Sequence, residues 1–509
     1  DKDGKIALQS LPADIINKVQ VSDTKTKKEE LTKQAASSNN ASINLTIDED
    51  KNKGLFGKIM GGYGSDNRYE SSLLVNYFKG KQKISVLASS NNINSTGFSM
   101  DEIFDNMGGG RNVSYSYNSD GSFGIGGNYF GGGKGIIQSS MVGVNYADEW
   151  FEKLETNGNY FFTNSNAENT RKVNQVSFLP TGDFATLSNT DSKIESYGNN
   201  FNFDFEYKID STTTLRYAPK ISFGNRKSYV NSTETSTDEN NELLNENNAI
   251  NNDDANSTNF ENSLNFNKGF KKKGRFLNVS FDSKNSDANS NNLNQSTTTF
   301  YQDNKPADIR NQVTDSQVLK NSYASEIEYL EPVTDSLKLK LGAYFRNEKS
   351  SDDNNAFDYN PNDDAYTLRN DLLTNYLSST LNMVTPKAGF AINKSKYNLG
   401  ADFGVTLTSY DNYSLYLNQS TNLDKNYVFP FATFNTNYNF SKSKSFYAQY
   451  NYEVNLPEAS QLMPVLNLSN PLNSIIGNQN LDLIENHNFY LSFRDFDYAT
   501  RSGYVFYGG

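Results

Sequence analysis

The stretch FNFDFEYKIDSTTTLRYAPKISFGN, Phe201–Asn225, decides the fold. Its first half sets Phe201, Phe203, Phe205, Tyr207 and Ile209 against Asn202, Asp204, Glu206 and Lys208. Period-two alternation places the two sets on opposite faces of a strand. One face is oily and the other is charged. A short turn, Asp210–Thr212, separates this strand from the next.

The pattern recurs outward from there. Leu337, Leu339, Leu341, Ala343 and Phe345 alternate with Lys338, Lys340, Gly342, Tyr344 and Arg346, and Tyr397–Leu407 and Phe434–Phe440 read alike. Helical spacing is confined to a short turn near Asp14–Val19. From about Tyr69 the connections alternate between short and long. The short ones are Lys79–Gln82, Asp148–Glu152, Asp210–Thr212, Lys268–Lys273, Val333–Asp335, Asn393–Lys396, Ser441–Lys444 and Asp497–Thr500. Long polar stretches lie between them, near 93–134, 167–196, 229–258, 283–320, 347–371, 411–424 and 455–484. Tight turns kept on one rim and long loops on the other describe an up-and-down barrel in an outer membrane, not a Greek-key sandwich. Roughly 17 strands of about ten residues or more suit a tilted bilayer crossing. A one-residue slip of register would put Lys338 and Lys340 into hydrocarbon, at about 2–4 kcal/mol each near the midplane. The fold class expected is therefore all-β, a large antiparallel transmembrane up-and-down β-barrel.

Composition agrees. The 509 residues are only 35% hydrophobic but 13% aromatic, so apolar surface comes from rings and not from aliphatic runs. Nothing approaches the roughly 18 apolar residues of a membrane helix. The net charge of -12 argues against a nucleic-acid surface. There is no cysteine, which removes disulfides and thiolate metal sites, and one histidine, His487, leaves little for a histidine-based metal site. Tyr63, Tyr77, Phe78, Tyr146, Phe161, Phe162, Tyr438, Phe440, Tyr450 and Tyr452 stand where interfacial aromatic girdles belong. The Asn/Ser/Asp-rich runs Asn245–Asn259 and Ser286–Thr299 read as mobile loops.

Several stretches invite chemistry and fail a closer test. GIGGNYFGGGKG, Gly124–Gly135, lacks the Gly-Lys-Ser/Thr spacing and following helix of a phosphate loop. Ser350–Tyr366 gathers carboxylates and amides suited to weak Ca²⁺ binding but lacks the EF-hand glycine, so a solvated loop is the plainer reading. Asp204 with Glu206, and Glu326 with Glu328, are paired carboxylates that could do acid–base work, yet alternation already accounts for them as lumen lining. His487 begins a strand and reads as a hydrogen-bonded interfacial residue. Phe357, Tyr359 and Tyr366 are loop aromatics open to a sugar or peptide. No catalytic, cofactor-binding or metal-ligating residue is assigned, no ligand-binding residue is named, and no cofactor is expected.

Other motifs carry a family resemblance. LPADIINKVQV (Leu11–Val21), SINLTI (Ser42–Ile47) and GLFGKIMGGYGSDNRYESSLLVNYF (Gly54–Phe78) resemble the end of a plug and the first barrel strands of TonB-dependent-receptor-like outer-membrane proteins. The outer-membrane β-barrel group common in Bacteroidetes is the nearest match. GFSMDEIFDNMGGG (Gly97–Gly110), GIIQSSMVGVNYADEW (Gly135–Trp150) and NLPEASQLMP (Asn455–Pro464) with IIGNQNLDLIENHNFYLSF (Ile476–Phe493) are similar to that group too. Gln479 and Ile484 stand where the family usually has prolines, so the rigid turn it has there is not expected.

The resemblance implies a barrel of about 22 strands when complete, with a plugged lumen. This chain would hold the C-terminal part of the plug in residues 1–50 and the barrel, incomplete at its C-terminus, in residues 51–509. It also implies a cell outer membrane location in a Gram-negative bacterium, lipid and lipopolysaccharide around the wall, a TonB complex as energy source and an unknown nutrient as ligand. A receptor or transporter, not an enzyme, is the first reading. A non-transporting outer-membrane adhesin or scaffold is the second, and a secreted soluble all-β binding module the third.

Overall fold

The computed structural model describes residues 16–23, 27–31, 41–47, 53–95, 98, 115–117, 123–125, 128–130, 135–180, 182–302, 305–441, 443–470, 473–497 and 500–509. Near the amino terminus, β1 (Ile16–Asp23) pairs with β2 (Ala41–Ile47) as a separate two-stranded sheet, with helix α1 (Lys27–Leu31) between them. The helical turn expected at Asp14–Val19 is thus corrected. From Ile16 the segment is strand, because antiparallel pairing, Val19 with Leu45 and Val21 with Ile43, gives its β-branched residues the partner they favour.

The wall opens with β3 (Lys53–Tyr63), β4 (Tyr69–Lys79) and β5 (Gln82–Asn91). A small three-stranded sheet, β6 (Tyr115–Tyr117), β7 (Phe123–Ile125) and β8 (Asn128–Phe130), lies in the next connection. The described part of the glycine-rich run is therefore a hairpin. The wall resumes at β9 (Ile136–Trp150) and continues through β10 (Leu154–Ser177), β11 (Phe184–Asp210), β12 (Thr213–Asp238), β13 (Leu243–Gly269), β14 (Phe276–Phe300), β15 (Asp308–Pro332) and β16 (Leu337–Asn360). The short β17 (Ala365–Arg369) only lengthens the outer edge of β16. Then come β18 (Asn375–Asn393), β19 (Tyr397–Tyr416), β20 (Gln419–Asn439) and β21 (Lys444–Asn455). Helix α2 (Ala459–Leu462), β22 (Leu466–Asn470) and β23 (Asn473–Ile476) form the last long connection, followed by β24 (Ile484–Asp497) and β25 (Ser502–Gly508). With β17 set aside, seventeen described strands build one closed, antiparallel up-and-down wall.

Seven of the eight expected short turns are at one rim, 80–81, 151–153, 211–212, 270–275, 333–336, 394–396 and 440–443, and the eighth, Asp497–Thr500, lies partly outside the described residues. The long polar stretches between 167 and 424, however, are mostly strand, whereas those near 93–134 and 455–484 are connections. β10 to β16 run 24–27 residues each, and Asn245–Asn259 pairs residue by residue with Ser286–Phe300. The reason is visible in the side chains. Asn225 donates to Asp254 at 2.5 Å and to Asn256 at 3.0 Å, Asn294 to Asn251 at 2.7 Å, and Asn285 to Asn321 at 2.6 Å. Cross-strand polar pairs stabilise a wall that stands in water on both faces, where an apolar face would have no neighbour. At about 3.3 Å per residue and roughly 40° of tilt, 25 residues rise about 60 Å, well past a hydrocarbon band of about 25 Å.

That band is the part nearest the short turns. Phe203, Tyr207 and Ile209 on β11, Tyr217 and Ile221 on β12, Leu339, Leu341 and Phe345 on β16, and Phe403, Val405 and Leu407 on β19 are exposed outward within about ten residues of a turn. Rings mark its edge, with Tyr397 beside Tyr438 (6.2 Å), Tyr438 beside Phe440 (4.6 Å), Phe440 beside Phe493 (6.2 Å) and Phe493 beside Tyr504 (6.2 Å). Lys444 lies over Phe440 and Phe493, a cation at the aqueous side of the ring belt. Phe78 and Phe161 do not join the girdle. They share the inward face with Asn76 and Asn200, and Phe161 is 1% exposed.

The ring closes where β25 lies beside β3. Seventeen is odd, so an antiparallel meander leaves these two running the same way. They are neighbours in the closed ring, and every residue of β25 is exposed.

Candidate functional site

The inward face is charged near the short-turn rim and amide-rich near the mouth. At the rim end each carboxylate singled out in the sequence holds a cation. Asp204 accepts a bidentate pair from Arg216, with Nε at 2.8 and 3.0 Å, and Glu326 accepts from Lys387. Glu206 and Glu328 reach the amino-terminal helix instead, accepting from Lys27 and, at 3.1 Å, Lys28. Lys340 donates to Asp402 at 2.9 Å, confirming the register that keeps the lysines off the lipid. Leu31 of α1 is buried against Phe276 and Leu330 on the inner wall. The approach is close at Gly269, where a Cβ would lie 2.4 Å from the Leu31 carbonyl oxygen. The helix is thus seated in the lumen by two ion pairs and one apolar contact.

At the mouth, the segment 456–483 folds back over the lumen as a cap. Gln461 Oε1 accepts from the Glu458 N–H at 2.9 Å, which fixes the start of α2. Leu462 then packs on Leu381 and Tyr410, and Met463 with Val465 pack on Leu377, flanked by Tyr416 and Leu423. These wall residues sit on the face that alternation assigns to water. They are apolar because the cap covers them. Gly477 closes the fold of the cap: a Cβ there would stand 2.0 Å from the Met463 carbonyl oxygen.

Between cap and wall lies a cavity of about 610 Å³. Its wall side presents Asn292, Gln312, Thr314, Asp352 and Asn354, and its cap side presents Val465, Leu466, Ile475 and Ile476. Gln312 is buried at 8% exposure and its side chain makes no hydrogen bond among the described residues. Among the described residues, Asp352 is the only charged one lining the cavity. Burial raises its carboxyl above the ordinary value, opposed by the hydrogen bond from Asn354 at 2.8 Å.

Of the other candidates, Ser350–Tyr366 is mostly strand and contributes Asp352 and Asn354 to the cavity; Asn355 bonds within it to Asp353 at 3.0 Å, and among the described residues no three acidic or histidine side chains gather to hold a metal. His487 Nδ1 lies 3.0 Å from the Tyr450 hydroxyl and its ring packs on Tyr452, on the outward face. Tyr359 stacks edge-on with Tyr366 at 5.5 Å, and Phe357 pairs with Arg369, at the outer rim and away from the cavity. The cavity itself was missed in the sequence. Its signal was present in Leu377, Leu381 and Leu423, three leucines on a polar parity.

Residues 268–508 match the outer membrane protein beta-barrel family. No curated protein matches the chain. Among solved structures, the chain is similar to the ferric-catecholate import receptor Fiu of E. coli K12 in its open form, at 11% identity over 94% of this chain and 80% of that one, with a TM-score of 0.35. It is also similar to the ferric yersiniabactin uptake receptor FyuA of Yersinia pestis (9% identity, 89% and 74%, TM-score 0.33) and to the siderophore receptor PiuA of Acinetobacter baumannii (10% identity, 94% and 80%, TM-score 0.28). The family match over residues 268–508, together with the closed wall and its outward oily band, identifies a β-barrel of the cell outer membrane.

Proposed function

We propose that this barrel is a receptor that captures a nutrient at its mouth and passes it inward through a plugged lumen, with energy from an inner-membrane TonB complex. One observation carries the reading. A cap folded into the mouth encloses a ligand-sized cavity on the lumen side of the wall. An adhesin would be expected to present its binding residues outward. The helix seated by Lys27, Lys28 and Leu31 supports residues 1–50 as the tail of a plug, followed by the barrel from residue 51.

The test is energised uptake. Cells carrying the protein should accumulate a ligand that binds the cavity, and loss should follow when the proton gradient is collapsed. Binding with unchanged accumulation after collapse would favour the adhesin or scaffold reading.

A further inference from the structure

We infer that the cavity under the cap takes a short peptide with a free amino terminus and apolar side chains. This deepens the receptor reading above and rests on it only for the route of entry, not for the binding.

The chemistry of the two sides differs. On the wall, Gln312, Asn292 and Thr314 make no side-chain hydrogen bond within the described protein, and Gln312 is nine-tenths buried. A carboxamide offers two donors and an acceptor side by side. That set matches the alternating N–H and C=O of a peptide main chain. A ligand main chain would give that carboxamide the partners it lacks within the described protein. On the cap, Val465, Leu466, Ile475 and Ile476 border the space, an apolar patch suited to aliphatic side chains.

Two absences among the described lining residues choose between ligand classes. No aromatic ring lines the cavity, so the flat C–H faces of a sugar find no stacking platform. No lysine or arginine lines it, so an anionic group finds no counter-ion. The single carboxylate, Asp352, is bonded by Asn354 and has acceptor capacity left for an ammonium. An amino terminus supplies that ammonium, the main chain meets the amides, and apolar side chains meet the cap.

The experiment uses the full chain in detergent micelles and isothermal titration with three probes: the tetrapeptide Ala-Leu-Ala-Leu, its N-acetyl form, and maltotetraose. The tetrapeptide should bind. Acetylation should weaken it about tenfold, and Asp352→Asn should weaken the free peptide by a similar factor while leaving the acetylated one unchanged. Acetylation changes the ligand alone, so the result stands even if the variant folds poorly. Maltotetraose binding more tightly than the tetrapeptide, equal affinity for the free and acetylated peptides, or no binding of any probe would overturn the inference. Labelled tetrapeptide is then offered to cells. Binding in micelles without uptake keeps the ligand class and removes the transport reading, so the two failures are distinct.

Discussion

Glu331 shows how far a residue's neighbours reach at the short-turn rim. Arg275 donates to it at 2.8 Å through both Nε and a terminal nitrogen, Lys272 at 2.7 Å, and the Tyr329 hydroxyl at 2.8 Å. These bonds lower its carboxyl to about 2. Asp210, on the next rim turn, is held well below the carboxylate range, first by Thr212 and then by Thr213. A depressed folded value stabilises the protein above the unfolded value and is lost as pH falls through the folded one. Thermal unfolding followed by heat-modifiable gel shift should therefore weaken between about pH 4.5 and pH 2, and Glu331→Gln should flatten that fall. An unchanged pH profile in the variant would show that the cluster is not felt in stability. The seat of α1 gives a second test at this scale. Half-exposed ion pairs contribute about 0.2–1 kcal/mol each, whereas a buried leucine truncated to alanine costs about 2–5 kcal/mol. Leu31→Ala should thus free the amino-terminal segment for protease cleavage more than Lys27→Gln and Lys28→Gln together, as measured by cleavage rate of the folded protein.

At the scale of elements, the extended strands make the strongest departure from what their composition suggests. If Asn245–Asn259 and Ser286–Thr299 are ladder and not loop, their amides exchange with deuterium over minutes or longer, while unpaired loop amides at neutral pH would be labelled almost at once. The cap predicts a local effect. Gly477→Ala places a Cβ on the Met463 carbonyl, so the cap should lift, with new protease cleavage between residues 456 and 483 and an intact barrel band on the gel. The sequence was legible where one physical demand acted alone. Alternation near the short turns answers to lipid on one side and water on the other, so Phe201–Ile209 and Leu337–Phe345 could be placed by face, and the rim turns fell where the polar breaks did. It was not legible in the outer wall, where both faces meet water. Asn and Ser there satisfy a strand as well as a loop, and composition cannot choose between them. Nor did it show the cavity, because that site is assembled from β14, β15, β16, β18 and a cap distant in sequence. The carboxylates Asp204, Glu206, Glu326 and Glu328 were placed on the right face, but which cation each would find depended on neighbours that only pairing supplies.

For the whole molecule, the closure of the wall is the open structural prediction. With seventeen strands the first and last run parallel where the ring closes. Cysteines at Leu55 and Tyr504, which both face outward near the short-turn rim, should form a disulfide in the outer membrane if the two edges meet directly, and failure to cross-link would mean that they do not. Beneath that lies the matter of which solvent touches which face, and the chain is suited to it because it contains no cysteine of its own. Single cysteines placed in turn from Asn202 to Lys208, in protein reconstituted into lipid vesicles, can be probed with a charged, membrane-impermeant maleimide and with a lipid-dissolved one. Positions 202, 204, 206 and 208 should react with the charged reagent, and positions 203, 205 and 207 only with the lipid-dissolved one. Equal reaction along the stretch, or the opposite parity, would contradict a wall with hydrocarbon outside and water within.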